Sequence, residues 1–225
     1  MTDTTASSPT RRFLVVIGGH PPVLAGLVDH PPIDAIVCAD SGLDHALALG
    51  LQPDVVIGDF DSATPNALAR GASMNVEVIS MPTDKDRTDT ELALALAHER
   101  GATEIDVLWG GGDRFDHVLG VVAAMAGPGL ATIDHLRLHV GRDLMHVVHG
   151  PRRFATEFAK GTTVSLIPIA GSAHGVTTTG LRWNLSDETL WGHDARGVSN
   201  IALGAVTVAV DSGVLAVVVP WEQES

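Results

Sequence analysis

The acidic residues of the chain gather where apolar, strand-like runs end. Asp40 follows a run at 35–38, Asp59 and Asp61 follow 55–57, Asp84, Asp86 and Asp89 follow 76–79, and Asp113 and Asp116 follow 105–108. If those runs are neighbouring strands, the carboxylates converge on one edge of one sheet. Unpaired, they repel strongly there, and a divalent cation relieves the repulsion. In Gly58-Asp59-Phe60-Asp61-Ser62 an extended backbone directs positions two apart to one side. Asp59 and Asp61 can then offer oxygens to one hard cation, with magnesium the best fit, while Phe60 turns into the core. A lone Asp-x-Asp is more often a solvated acidic turn. The matching clusters at equivalent strand ends favour a site.

The second cluster lies in Pro82-Thr83-Asp84-Lys85-Asp86-Arg87-Thr88-Asp89-Thr90-Glu91. Thr88 followed three residues later by Glu91 is a capping-box pattern, which puts Asp89 in the first turn of a helix. The helix dipole alone favours an acid there by about 0.3–1 kcal/mol. Asp84 and Asp86 have no such structural reason. Lys85 and Arg87 set positive charge among the carboxylates, as a site handling phosphates with a metal requires, although a self-neutralising surface loop would contain the same residues. The third cluster, Gly110-Gly111-Gly112-Asp113-Arg114-Phe115-Asp116-His117, follows a strand and opens a helix. Its glycines let backbone approach a ligand closely, and the helix N-terminus with Arg114 suits an anion. Neither a Walker A sequence nor a G-x-G-x-x-G fingerprint occurs.

The elements that must position these residues follow from periodicity. Short apolar runs at 13–17, 35–38, 55–57, 76–79 and 105–108 read as buried parallel strands. Helical spacing recurs at Leu43, Ala46, Leu47 and Leu49 before Gly50, at Leu92 and Leu96 before Gly101, and through 117–126, ahead of a further strand at 135–140. This alternation predicts an α/β, Rossmann-like parallel-sheet domain, which binds ligands beyond the carboxyl ends of its strands. After about residue 150 the pattern changes. Segments 162–169, 176–183, 189–191, 205–210 and 214–219 are strand-like and are separated by turn residues such as Gly171, Gly180 and Asp187. The expected organisation is a disordered lead over 1–11, an α/β domain over 12–150 and a smaller all-β sandwich over 151–225.

Composition narrows the partners. With 14 Lys plus Arg against 27 Asp plus Glu, the formal net charge is −13, which disfavours nucleic acid and anionic membrane surfaces. At 45% hydrophobic and 18% charged residues, the chain has ample material for a core. Cys38 is the single cysteine, so no internal disulfide forms; with a polar start that is not a secretory signal, the expected location is the cytoplasm. The 11 histidines are scattered, with no H-E-x-x-H and no cysteine partners, so a zinc site is not expected; only His117, beside Asp116, falls near the clusters. Trp109, Trp191 and Trp221 are expected in core or interface.

Taken in order, Ala39-Asp40-Ser41-Gly42, Gly58-Asp59-Phe60-Asp61-Ser62, the Asp84 to Asp89 segment and the Gly112 to His117 segment resemble the motifs of thiamine pyrophosphokinases. Thr177-Thr178-Thr179-Gly180-Leu181-Arg182-Trp183-Asn184-Leu185 and Gly197-Val198-Ser199-Asn200 resemble that family's second-domain motifs, so the resemblance runs from about 13 to 219. It implies an enzyme that moves the terminal diphosphate of ATP onto the hydroxyl of thiamine, giving thiamine diphosphate and AMP. It also implies a homodimer whose sites are shared between subunits. By motif position, Asp59, Asp61 and Asp89 would be magnesium ligands, and Lys85, Asp86, Arg114 and Asp116 would surround the diphosphate. Asp40, Ser41, Gly42, Gly112 and His117 would lie near the nucleotide. Trp183 would stack on thiamine at the other subunit's site, with Ser199, Asn200 and Thr179 lining the same end. Ser41 departs from the pattern, standing where the family often has a second glycine.

The residue chemistry agrees with that resemblance. Thiamine is a cation, and contact with an aromatic face contributes about 0.5–2 kcal/mol. ATP is an anion and needs a metal to enter an acidic site. Either Asp86 or Asp89 could take the hydroxyl proton. The rival readings are a diphosphokinase acting on a hydroxymethylpterin, which could share the acidic module, and a non-catalytic nucleotide or thiamine sensor. The sensor leaves the crowded carboxylates without a purpose.

Overall fold

The computed structural model describes residues 9–24, 27, 32–112 and 114–220; most of the expected 1–11 lead, Asp113 and Trp221 lie outside the described residues. The Val- and Ile-rich runs form β1 (Arg12–Val16), β2 (Ala35–Ala39), β3 (Val55–Gly58), β4 (Glu77–Ser80), β5 (Glu104–Trp109) and β6 (His135–Val140). They lie side by side in the order β4-β3-β2-β1-β5-β6, every neighbouring pair parallel. Helices α1 (Gly42–Ala48) and α2 (Pro65–Ser73) pack on one face over Leu14, Val16, Cys38 and Val56. Helices α3 (Asp89–Glu99) and α4 (Phe115–Met125) pack on the other over Phe13, Val15, Ile105 and Val107. Helix α2 escapes a search for apolar period because its buried residues are only Ala67 and Gly71. Its signal is instead local: Thr64 caps the N-terminus by accepting from the Ala67 N–H, and Pro65 begins the helix.

Beyond β6 the chain forms β7 (Asp143–His149), β8 (Arg152–Glu157), β9 (Thr163–Leu181), β10 (Glu188–Leu190), β11 (Asn200–Val210) and β12 (Ser212–Val219). The hydrogen-bonded path continues from β6 through β7, β12, β9 and β11 to β8, with β10 on β9. A second core, built on Val164, Leu166, Val176, Leu181, Val208 and Leu215, fills this part of the molecule. The two strands expected at 162–169 and 176–183 are one strand, β9. Gly171, Gly175 and Gly180 all have positive φ and bend the strand without ending it, so it pairs in turn with β12, β10 and β11. Gly180 is the tightest point, since a Cβ there would lie 1.8 Å from the Ala205 carbonyl oxygen.

One ionic network ties the parallel strands together. Asp106 on β5 is fully buried and accepts from Arg12 Nε at 2.7 Å, Arg137 Nε at 2.7 Å and His139 Nε2 at 2.8 Å. Burial pushes its pKa up, but hydrogen bonds from His139, Arg137 and Arg12 outweigh that and hold it well below the usual carboxylate range. His139 is thereby engaged with a carboxylate.

On β7, burial together with Arg137 pushes the His146 imidazole down to about 3. A group whose folded pKa lies below its unfolded value near 6.5 contributes stability above pH 6.5 that is lost as pH falls toward the folded value. We therefore expect the urea midpoint to fall between pH 7 and 4, with a contribution from this residue of up to about 1.4 kcal/mol per pH unit. His146→Leu should flatten that dependence; a slope equal to that of the wild type would exclude His146 as its source.

Candidate active site

Three elements deliver one carboxylate each to the carboxyl edge of the parallel sheet. Asp40 leaves β2 with φ 47 and donates its N–H to the Ile57 carbonyl at 3.0 Å. Asp59 leaves β3. Asp89 is the first residue of α3, fixed by the expected capping box: Thr88 Oγ1 accepts from the Glu91 N–H at 3.2 Å, and the Thr88 N–H donates to Glu91 Oε2 at 2.8 Å. Carboxylate oxygens of Asp40, Asp59 and Asp89 lie within 4.8 Å of one another. Gly58 permits this approach. Its φ is 156, and a Cβ there would come within 3.2 Å of both the Asp40 Cβ and Asp89 Oδ1.

Lys85 is the cation of the cluster. Its Nζ donates to Asp59 Oδ2 at 2.9 Å and lies 3.1 Å from Asp89 Oδ1. The Lys85 hydrogen bond lowers the Asp59 pKa, while burial raises that of Asp89 against the pull of the same ammonium. For Lys85 burial works downward, but the Asp59 and Asp89 carboxylates leave the pKa raised. Asp40 is 8% exposed; Ser62 Oγ donates to its Oδ2, whereas its Oδ1 is buried without a hydrogen-bond partner among the described residues. An orphaned buried carboxylate oxygen is costly unless something cationic or protic meets it. Three hard oxygen donors of this kind fit a divalent cation.

The expected pairing of Asp59 with Asp61 is not what the structure brings together. Phe60 adopts φ 63, so the extended backbone ends at β3 and the two acids do not share a face. Asp61 is exposed, and it reaches Asp59 through its own N–H, 3.3 Å from Oδ1. Asp40 completes the triad instead. Phe60 does pack against the core on the α1 side, as expected.

A cleft of 530 Å³ opens beside the triad. Of the candidates, Asp40, Ser41, Asp89, Gly112, Arg114, Asp116 and His117 line it. Arg114 and Asp116 form an exposed pair at 2.6 Å at the start of α4, which raises the Arg114 pKa and lowers that of Asp116. Gly42 sits beneath the cleft, buried at the start of α1, where a Cβ would meet the Val16 carbonyl at 2.1 Å. Asp86 is exposed and is not part of the lining. Sequence reasoning missed the loop Gly18-Gly19-His20 and Ser62, which line the same space. The available signal was a glycine pair directly after a strand. Trp109 packs in the core as expected, and it lines the cleft as well.

The second-domain candidates lie apart from this lining. Trp183 is 57% exposed, with the Arg182 guanidinium 5.0 Å from its ring centroid. Asn200 is buried, accepts from the Trp183 N–H at 3.1 Å and donates to the Trp183 carbonyl at 2.7 Å, so its amide holds the Trp183 backbone. Ser199 is exposed with φ 61, next to Asn200. Thr179 is exposed farther along β9, where its hydroxyl lies 2.7 Å from that of Thr207 on β11.

Known proteins match this chain in sequence and fold. Residues 32–132 match the thiamin pyrophosphokinase catalytic domain, and residues 146–215 match the thiamin pyrophosphokinase vitamin B1 binding domain. The chain belongs to the thiamine pyrophosphokinase family. Thiamine pyrophosphokinase 3 of Oryza sativa subsp. japonica is 29% identical over 178 residues, which span 73% of this chain and 65% of the rice protein. Thiamine pyrophosphokinase of Bacillus subtilis is 27% identical over 177 residues, covering 76% of this chain and 81% of that protein. A crystal structure of the Bacillus subtilis enzyme superposes with a TM-score of 0.80 at 25% identity, covering 95% of this chain and all of that one.

Gly58→Ala tests the spacing of the triad. It should destabilise the fold by about 1–3 kcal/mol in urea titrations and weaken Mn2+ binding at least tenfold by calorimetry. Unchanged affinity would show that Gly58 does not set the distances among the three acids.

Proposed function

We propose that the protein transfers the terminal diphosphate of ATP to the hydroxyl of thiamine, forming thiamine diphosphate and AMP. The observation that carries this reading is the triad of Asp40, Asp59 and Asp89, with its orphaned oxygen, beside a cleft at the carboxyl edge of the sheet. Family membership over both domains supplies the substrates. The match to a vitamin B1 binding domain over 146–215 speaks against a pterin diphosphokinase, which has no use for such a domain.

In this reading the two domains divide the work: a Rossmann-like parallel-sheet unit takes the nucleotide, and the C-terminal sandwich takes thiamine. Asp40, Asp59 and Asp89 hold a magnesium ion, which when bound neutralises phosphate charge and stabilises the charge that develops during in-line displacement. Ser62 keeps Asp40 oriented. Arg114, at the start of α4, and Lys85 hold phosphoryl oxygens; Asp116 orients Arg114. His117 and the Gly18–His20 loop line the nucleotide's side of the cleft. Asp89 lines the cleft and Asp86 does not, so the thiamine hydroxyl proton is assigned to Asp89. Trp183 offers an aromatic face to the thiazolium cation, with Ser199 at its side and Asn200 fixing its backbone.

A homodimer with shared sites is the assembly this geometry favours. Trp183 and Ser199 do not line the acidic cleft of their own chain, and Phe115, Leu119 and Leu203 expose large apolar side chains. No helix among the described residues is long and apolar enough to cross a membrane. The single cysteine, buried at Cys38, supports a cytoplasmic location.

Incubating the purified protein with Mg2+, ATP and thiamine should yield AMP and thiamine diphosphate. Formation of ADP, or AMP with a hydroxymethylpterin alone, would refute the assignment. Asp59→Asn should lower turnover more than tenfold, equivalent to more than about 1.4 kcal/mol of transition-state stabilisation, and Trp183→Ala should raise the KM for thiamine far more than that for ATP. Mixing Asp59→Asn and Trp183→Ala chains should, at subsaturating thiamine, give more activity than either variant alone if each site draws on two subunits. Absence of recovery in verified mixed dimers would place the whole site within one chain.

A further inference from the structure

The acidic triad holds a lysine that no helix geometry requires. Lys85 precedes the Thr88 cap, so its contact with Asp89 does not run along a helix. Its side chain is only 13% exposed although its neighbours Asp84, Asp86 and Arg87 are all exposed. The ammonium donates to Asp59 Oδ2 and makes an ionic contact with Asp89 Oδ1, leaving Asp40 Oδ1 and Asp89 Oδ1 buried without a hydrogen-bond donor among the described residues. Three carboxylates and one ammonium leave two negative charges, which is the charge of one divalent ion. An ammonium and a divalent ion cannot share the same oxygens at contact distance without strong repulsion.

We propose that Lys85 is the resident counter-ion of the ion-free site, displaced from Asp59 and Asp89 when a divalent cation binds and thereby released toward the phosphoryl groups of the nucleotide. This rests on the metal-dependent reading above and deepens it. Ion loading and the delivery of Lys85 become one exchange. In the ion-free protein the ammonium keeps Asp59 and Asp89 assembled, so the site is preformed. Once it is displaced, its strong hydration and flexible stem suit it to a phosphate oxygen at the cleft. Lys85 therefore acts on the acids in one state and on the substrate in the other.

The chain has two lysines, and exposed Lys160 serves as an internal reference. Wild-type protein without nucleotide or thiamine is labelled with an amine-reactive ester, in EDTA and in saturating Mg2+, and the two sites are read by peptide mass spectrometry. Lys85 should label at least fivefold faster relative to Lys160 when Mg2+ is present. Binding of the ion is followed separately with Mn2+ by electron paramagnetic resonance, where Lys85→Met should bind at least tenfold more tightly than the wild type and Asp40→Asn more weakly. Mn2+ binding with no change in Lys85 labelling would overturn the counter-ion role and leave the ion site standing. A Lys85→Met affinity no tighter than that of the wild type would do the same. Failure of the wild type to bind Mn2+ at all would remove the ion site, and the proposal with it.

Discussion

Three carboxylates held within 4.8 Å of one another demand compensating positive charge, and much of the molecule is arranged around that demand. The sheet brings the ends of β2 and β3 side by side, and the cap of α3 drops a third acid between them. Each contribution is backed by a backbone feature: left-handed φ at Asp40 and Phe60, a glycine at 58, and the reciprocal Thr88–Glu91 pair. Ser62 occupies one oxygen of Asp40, and Lys85 occupies oxygens of the other two acids. What remains is two buried oxygens without a hydrogen-bond donor among the described residues, Asp40 Oδ1 and Asp89 Oδ1, and two units of negative charge facing a cleft.

Rigidity behind the site comes from a second cluster, centred on a carboxylate whose two oxygens are both engaged. Asp106 is as buried as any side chain in the chain, yet each of its oxygens is engaged, by Arg12, Arg137 and His139. That network fastens β1, β5 and β6 across the sheet, whose ends carry the cleft. The contrast between the two clusters is informative: Asp106 has its cations built in and is closed to ligand, whereas Asp40 retains an unused oxygen at the edge. Completeness of hydrogen bonding separates a structural carboxylate from one poised for a ligand.

The β region is joined to the parallel sheet by continuous pairing, since β7 bonds β6 on one side and β12 on the other. Helix α4 also places Phe115 and Leu119 at the surface, near the start of the cleft. An unbroken ladder resists hinge motion between the region that matches the catalytic domain and the region that matches the vitamin B1 binding domain.

Much was legible before any coordinates. Short β-branched runs located β1 to β6 because buried parallel strands leave a near-continuous apolar trace. The capping box at Thr88 placed Asp89, because that interaction spans only four residues. Acids at strand ends announced a site because parallel strands deliver their carboxyl ends to one edge. Other features left no local trace. Helix α2 buries only small residues, and β9 passes through three glycines that read as turns in isolation. The sequence by itself determined the alternating fold, the acidic edge and the family. Only the tertiary structure decided that Asp40 rather than Asp61 meets Asp59 and Asp89, and that Lys85 sits among them. The reason is physical: those contacts depend on one reversed φ at Phe60 and on the close packing of β2, β3 and α3, which are properties of neighbours in space and not of neighbours along the chain.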